Sequence, residues 1–351
     1  MIYNEIDGLK YVMEKKELEK LANQFPPHIP NGVRSYAQIF CDIEEMMNRE
    51  VHQYVTTGAA SAGDGMLNDH GGDHVRMVQE RAYMLIKDKC NDLTGYEIFF
   101  LLLAIHFHDV GNLLGRDAHE EKIDEVFEAL GDKFPLDNVA QRLIRDIAMS
   151  HGGNVQGDKD TISYVQDQVY VDGVCIRASL LAAILRYADE IADDKNRASA
   201  FLLRVGSVPM QNRAFHEYSR ALEPPVINGD TLNLQYYIAN ELIDKKITKN
   251  DTEVYLYDEI LLRIKKCLCE LEYCRKYSQG FIRIFCISVS IAVLDEKGRK
   301  VIYQEDFKLR LGGYPDPALY TVDKWCSIPA IRATSAIELM NILGKGEKEQ
   351  C

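Results

Sequence analysis

The chain has 351 residues, with 54 acidic against 41 basic side chains and a formal net charge of −13. Hydrophobic residues at 46% and charged residues at 27% give enough apolar surface to bury a core, which excludes a disordered chain. The acidic balance disfavours a long nucleic-acid duplex as partner, because phosphates are gripped by a basic face. In chain order, apolar residues at helical spacing predict a helix over 36–56, followed by a Gly-, Ala-, Ser- and Asp-rich loop over 57–72. A further helix is expected over 73–89. The next, ending near Gly111, has Asp92 as candidate N-cap and is apolar nearly all round, so it belongs at the centre of a bundle. Asp117 and Asp137 are candidate caps for helices that stop at Gly131 and at Gly152–Gly153. Period-2 alternation over 164–175 interrupts the helical pattern, and a strong apolar helix covers 178–192.

After residue 204 the pattern changes. Residues 226–238 carry an Asn-Gly-Asp turn between alternating segments, a hairpin signal. A long charged amphipathic helix is expected over 253–277, a second hairpin over 281–311 and a closing helix within 327–343. The expected fold is therefore mostly α: a helical bundle over 1–204 followed by a smaller α+β domain over 205–351. Nothing names a role for the second domain beyond substrate selection, regulation, dimerisation or a structural extension, and a homo-oligomer is compatible with it.

No run reaches the ~18 consecutive apolar residues of a membrane helix. The longest are Ile98–Ile105 and Phe281–Leu294, so no membrane partner is expected. The start, MIYNEIDGLKYVMEKKELEK, lacks a basic segment followed by an apolar one and is not read as a secretory signal. Nine cysteines are scattered without a CxxC pair, which suits reduced thiols and a cytoplasmic setting.

The histidines concentrate the chemistry. Six of nine lie between residues 70 and 151, and His74, His108, His119 and His151 each fall at or near an expected helix end. Asp109 adjoins His108. Asp189 sits among Leu181, Leu185 and Ala188 in a strongly apolar helix, where a carboxylate is costly unless paired or bound to a metal. His106 precedes His108 by two positions and faces away, as a packing or supporting residue. His70 could reach the edge of the same pocket. His28, His52 and His216 belong to no motif.

The order H … HD … H … H … D, in DHVRMV, IHFHDVGN, DAHEEKI, IAMSHGG and LRYADEIADD, resembles the HD superfamily of metal-dependent phosphohydrolases over residues 35–204. The resemblance implies an HD-type helical bundle in which His74, His108, Asp109 and Asp189 hold one metal. It further implies that His119 and His151 hold a second metal, with Asp109 as bridge, making Asp109, His119 and His151 the catalytic set. Imidazole and carboxylate suit Mn, Fe, Co, Ni or Zn, with Mg as a further candidate. Two such ions ~3.5–4 Å apart can share a hydroxide and clamp a phosphoryl oxygen. Asn112 stands where many nucleotide-cleaving members carry Lys, and GGYP at 312–315 lies far from the site. Arg116, Lys122, Arg186 and Arg197 are candidate phosphate-binding or orienting residues. Asp193, at i+4 from Asp189, is a candidate on the same helix face.

The expected function is hydrolysis of a phosphate ester, with a small phosphorylated substrate such as a nucleotide or cyclic nucleotide. Three other readings use the same residues: a di-iron oxygenase of the superfamily, an HD module that senses a nucleotide, and a nuclease on single strands.

Overall fold

The computed structural model describes residues 21, 23–26, 34–55, 71–114, 119–152, 158–198, 200–249, 252–311 and 334–345. These form two units. The first takes the described residues before 56, those of His70–Asp189, and Cys274–Ile282; the second takes Glu190–Tyr273 and the described residues from Arg283 onward. His28, His70, Arg116, the proposed cap Asp117 and the GGYP sequence lie outside the described residues, as does most of the expected loop over 57–72.

The first unit is a helical bundle. Its α-helices are α1 (Tyr36–Met47), α2 (Gly72–Ile86), α3 (Gly95–Phe107), α4 (Ile123–Leu130), α5 (Asn138–Met149) and α6 (Ala178–Glu190). A short hairpin, β1 (Val169–Val171) with β2 (Val174–Ile176), turns at Asp172-Gly173 and accounts for the alternation in that stretch. The uniform apolarity of α3 has the expected consequence: Ile98 through Ile105 are all buried, and α1, α2 and α5 pack around it. The stretch Gly95–Leu114 is long and apolar enough to cross a membrane by length and composition, but most of it is buried inside this unit as the central helix.

The cap of α3 is Thr94 rather than Asp92. Thr94 Oγ1 accepts from the Glu97 amide at 3.1 Å, and Glu97 Oε2 accepts from the Thr94 amide at 2.8 Å, a reciprocal capping box. Asp137 caps α5 as expected, accepting from the amides of Val139 and Ala140. Helix α6 stops at Glu190, so Asp193 and Arg197 lie beyond its end; the expectation that Asp193 shares a helical face with Asp189 does not hold.

The second unit is α+β. It contains α7 (Ala200–Val205), α8 (Arg213–Ala221) and a sheet of β3 (Val226–Asn228), β4 (Thr231–Ala239), β7 (Cys286–Leu294) and β8 (Val301–Arg310), in the order β3-β4-β7-β8. Both expected hairpins are present as β3–β4 and β7–β8. Strands β4 and β7 are parallel, from Thr231 opposite Cys286 to Ala239 opposite Leu294. Parallel neighbours need a long connection, and this one carries a small hairpin, β5 (Lys246–Lys249) with β6 (Thr252–Tyr255), and then α9 (Leu256–Tyr277). The long helix therefore starts at Leu256 and not at Glu253, because Thr252-Glu-Val-Tyr255 pairs as a strand, in keeping with its β-branched and aromatic residues. The last turn of α9 belongs to the first unit. The closing helix is α10 (Ala336–Ile342).

Candidate metal centre

Six side chains reach one point of the first unit from five places in the sequence. His74 lies in the first turn of α2. His108 is the C-cap of α3, and Asp109 follows it as the chain turns into a 3-10 segment, Val110–Leu114. His119 opens the short turn that precedes α4, His151 sits just past α5, and Asp189 is in the last turn of α6. Helix ends deliver ligands well, since a side chain there can leave the helical face and point along the axis into a shared cavity.

The distances define two groups. His74 Nε2 lies 3.2 Å from His108 Nε2, 3.1 Å from Asp189 Oδ1 and 3.5 Å from Asp109 Oδ2; His108 Nε2 lies 3.4 Å from Asp109 Oδ2 and 3.7 Å from Asp189 Oδ1. On the other side, His119 Nε2 is 3.3 Å and His151 Nε2 is 3.6 Å from Asp109 Oδ1. His74, His108 and Asp109 are thus one group able to hold a metal ion, and Asp109, His119 and His151 another, with the ligand atoms of each within 4.8 Å of one another.

The donor chemistry fits cations. His108 Nδ1 donates to the Ile105 carbonyl at 2.7 Å, and His151 Nδ1 donates to the Ala148 carbonyl at 2.7 Å. A carbonyl can only accept, so both Nδ1 atoms carry the proton and, in the neutral rings, both Nε2 atoms present a lone pair. Burial pushes the His108 pKa down, outweighing the opposing pull of Asp109 and Asp189, so its ring is neutral near pH 7. A bare nitrogen therefore faces carboxylate oxygens with no proton between them, a repulsive contact that a bound cation converts into coordination. Burial alone would push the Asp189 carboxyl up, but the hydrogen bond from His74 leads the contacts that hold it below the usual range. That favours the anion, the form in which a carboxylate can hold a cation.

Two features of the HDVGN segment have local causes. Gly111 packs directly on the backbone of His119, and a Cβ at that position would overlap the His119 carbonyl oxygen. The glycine is what lets the chain fold back to bring His119 beside Asp109. Asn112, which is buried, donates from Nδ2 to Asp109 Oδ1 at 3.2 Å and so orients the central carboxylate.

The remaining candidates fall elsewhere. Arg186 is buried and donates to Thr161 Oγ1, Lys159 O and Ser150 O. Lys122 donates from Nζ to the Leu114 carbonyl at 3.0 Å. Asp193, in the second unit, accepts from Ser219 Oγ at 2.5 Å and pairs with Arg263 at 3.6 Å. The Arg197 amide donates to the Asp194 carbonyl. His106 turns away from the cluster, as its spacing predicts. It is buried with Nδ1 3.1 Å from His52 Nε2 and Nε2 3.2 Å from Gln79 Nε2. His52 and Gln79 carried no sequence signal of this pairing. Neither did Ser150 and Thr161, whose contacts to Arg186 join segments distant in the chain. The Gly after the HD doublet was the one available hint of a tight backbone approach.

A family model described as HD-CE matches residues 64–266, more than half of the chain, and spans all six clustered side chains. No curated protein matches the sequence.

Proposed function

The chain belongs to the HD-CE family, and from that premise we propose that it is a metal-dependent phosphohydrolase or phosphodiesterase acting on a small phosphorylated substrate, a nucleotide or cyclic nucleotide. The observation that carries this reading is the division of one carboxylate. Asp109 turns Oδ2 to His74 and His108 and Oδ1 to His119 and His151. A carboxylate so placed could serve two cations, with His74, His108 and Asp189 to hold one and His119 and His151 to hold the other. Divalent ions such as Mn, Fe, Co, Ni, Zn or Mg would supply positive charge to a phosphoryl oxygen and lower the pKa of bound water towards ~7.

The residues of the chain bind and orient. The carbonyls of Ile105 and Ala148 fix the tautomer of two imidazoles, which keeps Nε2 aimed inward before any ligand arrives. Asn112 holds the plane of Asp109. The acidic chain needs no basic surface for a small phosphate, because cations held by the cluster would supply the positive field that receives it.

The test is a screen of purified protein with added Mn²⁺ against nucleotides, cyclic nucleotides, phosphate monoesters and short oligonucleotides. Release of phosphate or of a cleaved diester by the wild type, abolished in Asp109→Ala, supports the reading. Undiminished turnover by Asp109→Ala removes it. Oxygen consumption with iron and no phosphate-ester cleavage replaces it with the oxygenase reading.

A further inference from the structure

Arg186 lies on α6 one turn before Asp189, yet its Nη1 points at the strap of chain over residues 158–161. It is 2.7 Å from Thr161 Oγ1, 3.3 Å from the Lys159 carbonyl and 3.4 Å from the Ser150 carbonyl. The Thr161 hydroxyl receives this N–H and donates in turn to the Ser150 carbonyl at 2.8 Å. That carbonyl belongs to the peptide bond that joins Ser150 to His151. From the other side, the amide and Nδ1 of His151 both reach the Ala148 carbonyl, at 3.3 and 2.7 Å.

His151, which faces Asp109 Oδ1 beside His119, is thus gripped on both flanks. One grip is local to α5; the other is a guanidinium and a hydroxyl from remote segments. Ser150, His151, Thr161 and Arg186 are all buried, so these bonds do not compete with bulk water. The strap has a second tether, since Tyr277 donates to Asp160 Oδ1 at 2.6 Å. Loss of the Thr161 hydroxyl therefore leaves the strap anchored.

We propose that Arg186 and Thr161 are positioning residues for His151. Through it they set the affinity of the His119–His151 metal position and leave that of the His74–His108–Asp189 position unchanged. This rests on the reading of two cation positions given above. A histidine that must keep Nε2 within a few tenths of an ångström of its place loses affinity when the groups behind it loosen. Removal of such outer contacts costs about 10–100-fold in metal affinity.

The experiment is calorimetric titration of the metal-free protein with Mn²⁺, paired with electron paramagnetic resonance of the loaded samples and circular dichroism as a check of folding. Thr161→Val removes the hydroxyl at nearly constant volume, Thr161→Ser restores it, and Arg186→Met removes the guanidinium. The expected result is a wild type that binds two ions. Thr161→Val and Arg186→Met should keep the first ion at wild-type affinity and bind the second about 10–100-fold more weakly. They should then show the signal of isolated Mn²⁺ where the wild type shows a coupled pair, and Thr161→Ser should behave as wild type. Because Arg186 shares α6 with Asp189, Thr161→Val decides the matter if Arg186→Met does not fold. Wild-type affinity for both ions in Thr161→Val, or equal weakening of both, overturns the positioning role and leaves the proposed function standing. A wild type that binds a single ion overturns the reading of two cation positions and the positioning role with it.

Discussion

Gly111 shows how much a single missing side chain can decide. The His119 carbonyl occupies the space where its Cβ would stand, so Gly111→Ala forces backbone away from backbone, with no flexible side chain to yield. Overpacking of this kind costs about 1–3 kcal/mol. The displaced group is the backbone of His119, so Gly111→Ala should melt lower than wild type and, if that histidine holds a metal as proposed, also lose affinity at the His119–His151 position. A thermal melt and a metal titration on the same sample check both, and a variant that melts lower but titrates normally would show the glycine to be structural alone. That these six side chains converge was legible because an HD doublet, three further histidines and an aspartate in an apolar helix stand in the order that resembles the HD superfamily. The need for the glycine was not, because its partner is met only when the chain returns through the turn at His119. Asn112 illustrates the same limit: as a sequence letter it reads as a missing cation, whereas in the fold its amide serves the central carboxylate.

At the scale of elements, α3 depends on a buried carboxylate that belongs to its own cap. Glu97 accepts from the Thr94 amide and also from the Arg177 amide at 3.1 Å, Nε at 2.7 Å and Nη2 at 2.8 Å. Burial raises the Glu97 pKa, but these donors outweigh it and hold the carboxyl below its usual range. The folded state therefore prefers the anion more than the unfolded state does, whose Glu titrates near ~4.3. This contribution is complete above that pH and is lost as pH falls through the lowered folded value. Arg177→Met leaves the carboxylate buried without its guanidinium, which should cost about 3–5 kcal/mol at pH 7. In that variant Glu97 can be protonated at a higher pH, so the gap to wild type should narrow in acid. Denaturant melts of both proteins at pH 7 and near pH 4 test this, and a gap independent of pH would mean that the pair contributes no charge-dependent stability. Thr94→Ala should cost about 1 kcal/mol as an ordinary cap loss. The capping box was readable in Thr94-x-x-Glu97, although Asp92 also offered a cap; the link to Arg177 was not, since eighty residues separate the partners. In the second unit, local signals located both hairpins, but the parallel pairing of β4 with β7 has no local signature, because it is made across the β5–β6 hairpin and α9.

The whole molecule carries its charge unevenly in consequence. Its surplus of acid is spread over a 351-residue chain, while two carboxylates and four imidazoles, four of the six groups buried, converge inside the first unit. Helical periodicity made that unit readable as a bundle, and the order of histidines and aspartates made its centre readable; what periodicity could not supply is how closely those groups approach one another. Side chains from α2, the end of α3, the turn before α4 and the end of α5 meet at Asp109. Cations that bind only this folded arrangement must therefore stabilise it by mass action. An ion present at a hundred times its dissociation constant adds about 2.7 kcal/mol. In a unit of this size that corresponds to a fall of roughly 5–10 °C in melting temperature when a chelator removes the ion. Asp109→Ala should melt at one temperature with or without chelator, because the shared ligand of both positions is gone. Calorimetric scans of the two proteins, each with excess Mn²⁺ and with chelator, give the comparison. A wild type whose transition ignores the chelator would mean that the cluster holds its shape by protons and hydrogen bonds alone, and the metal-dependent reading of this chain would fall with it.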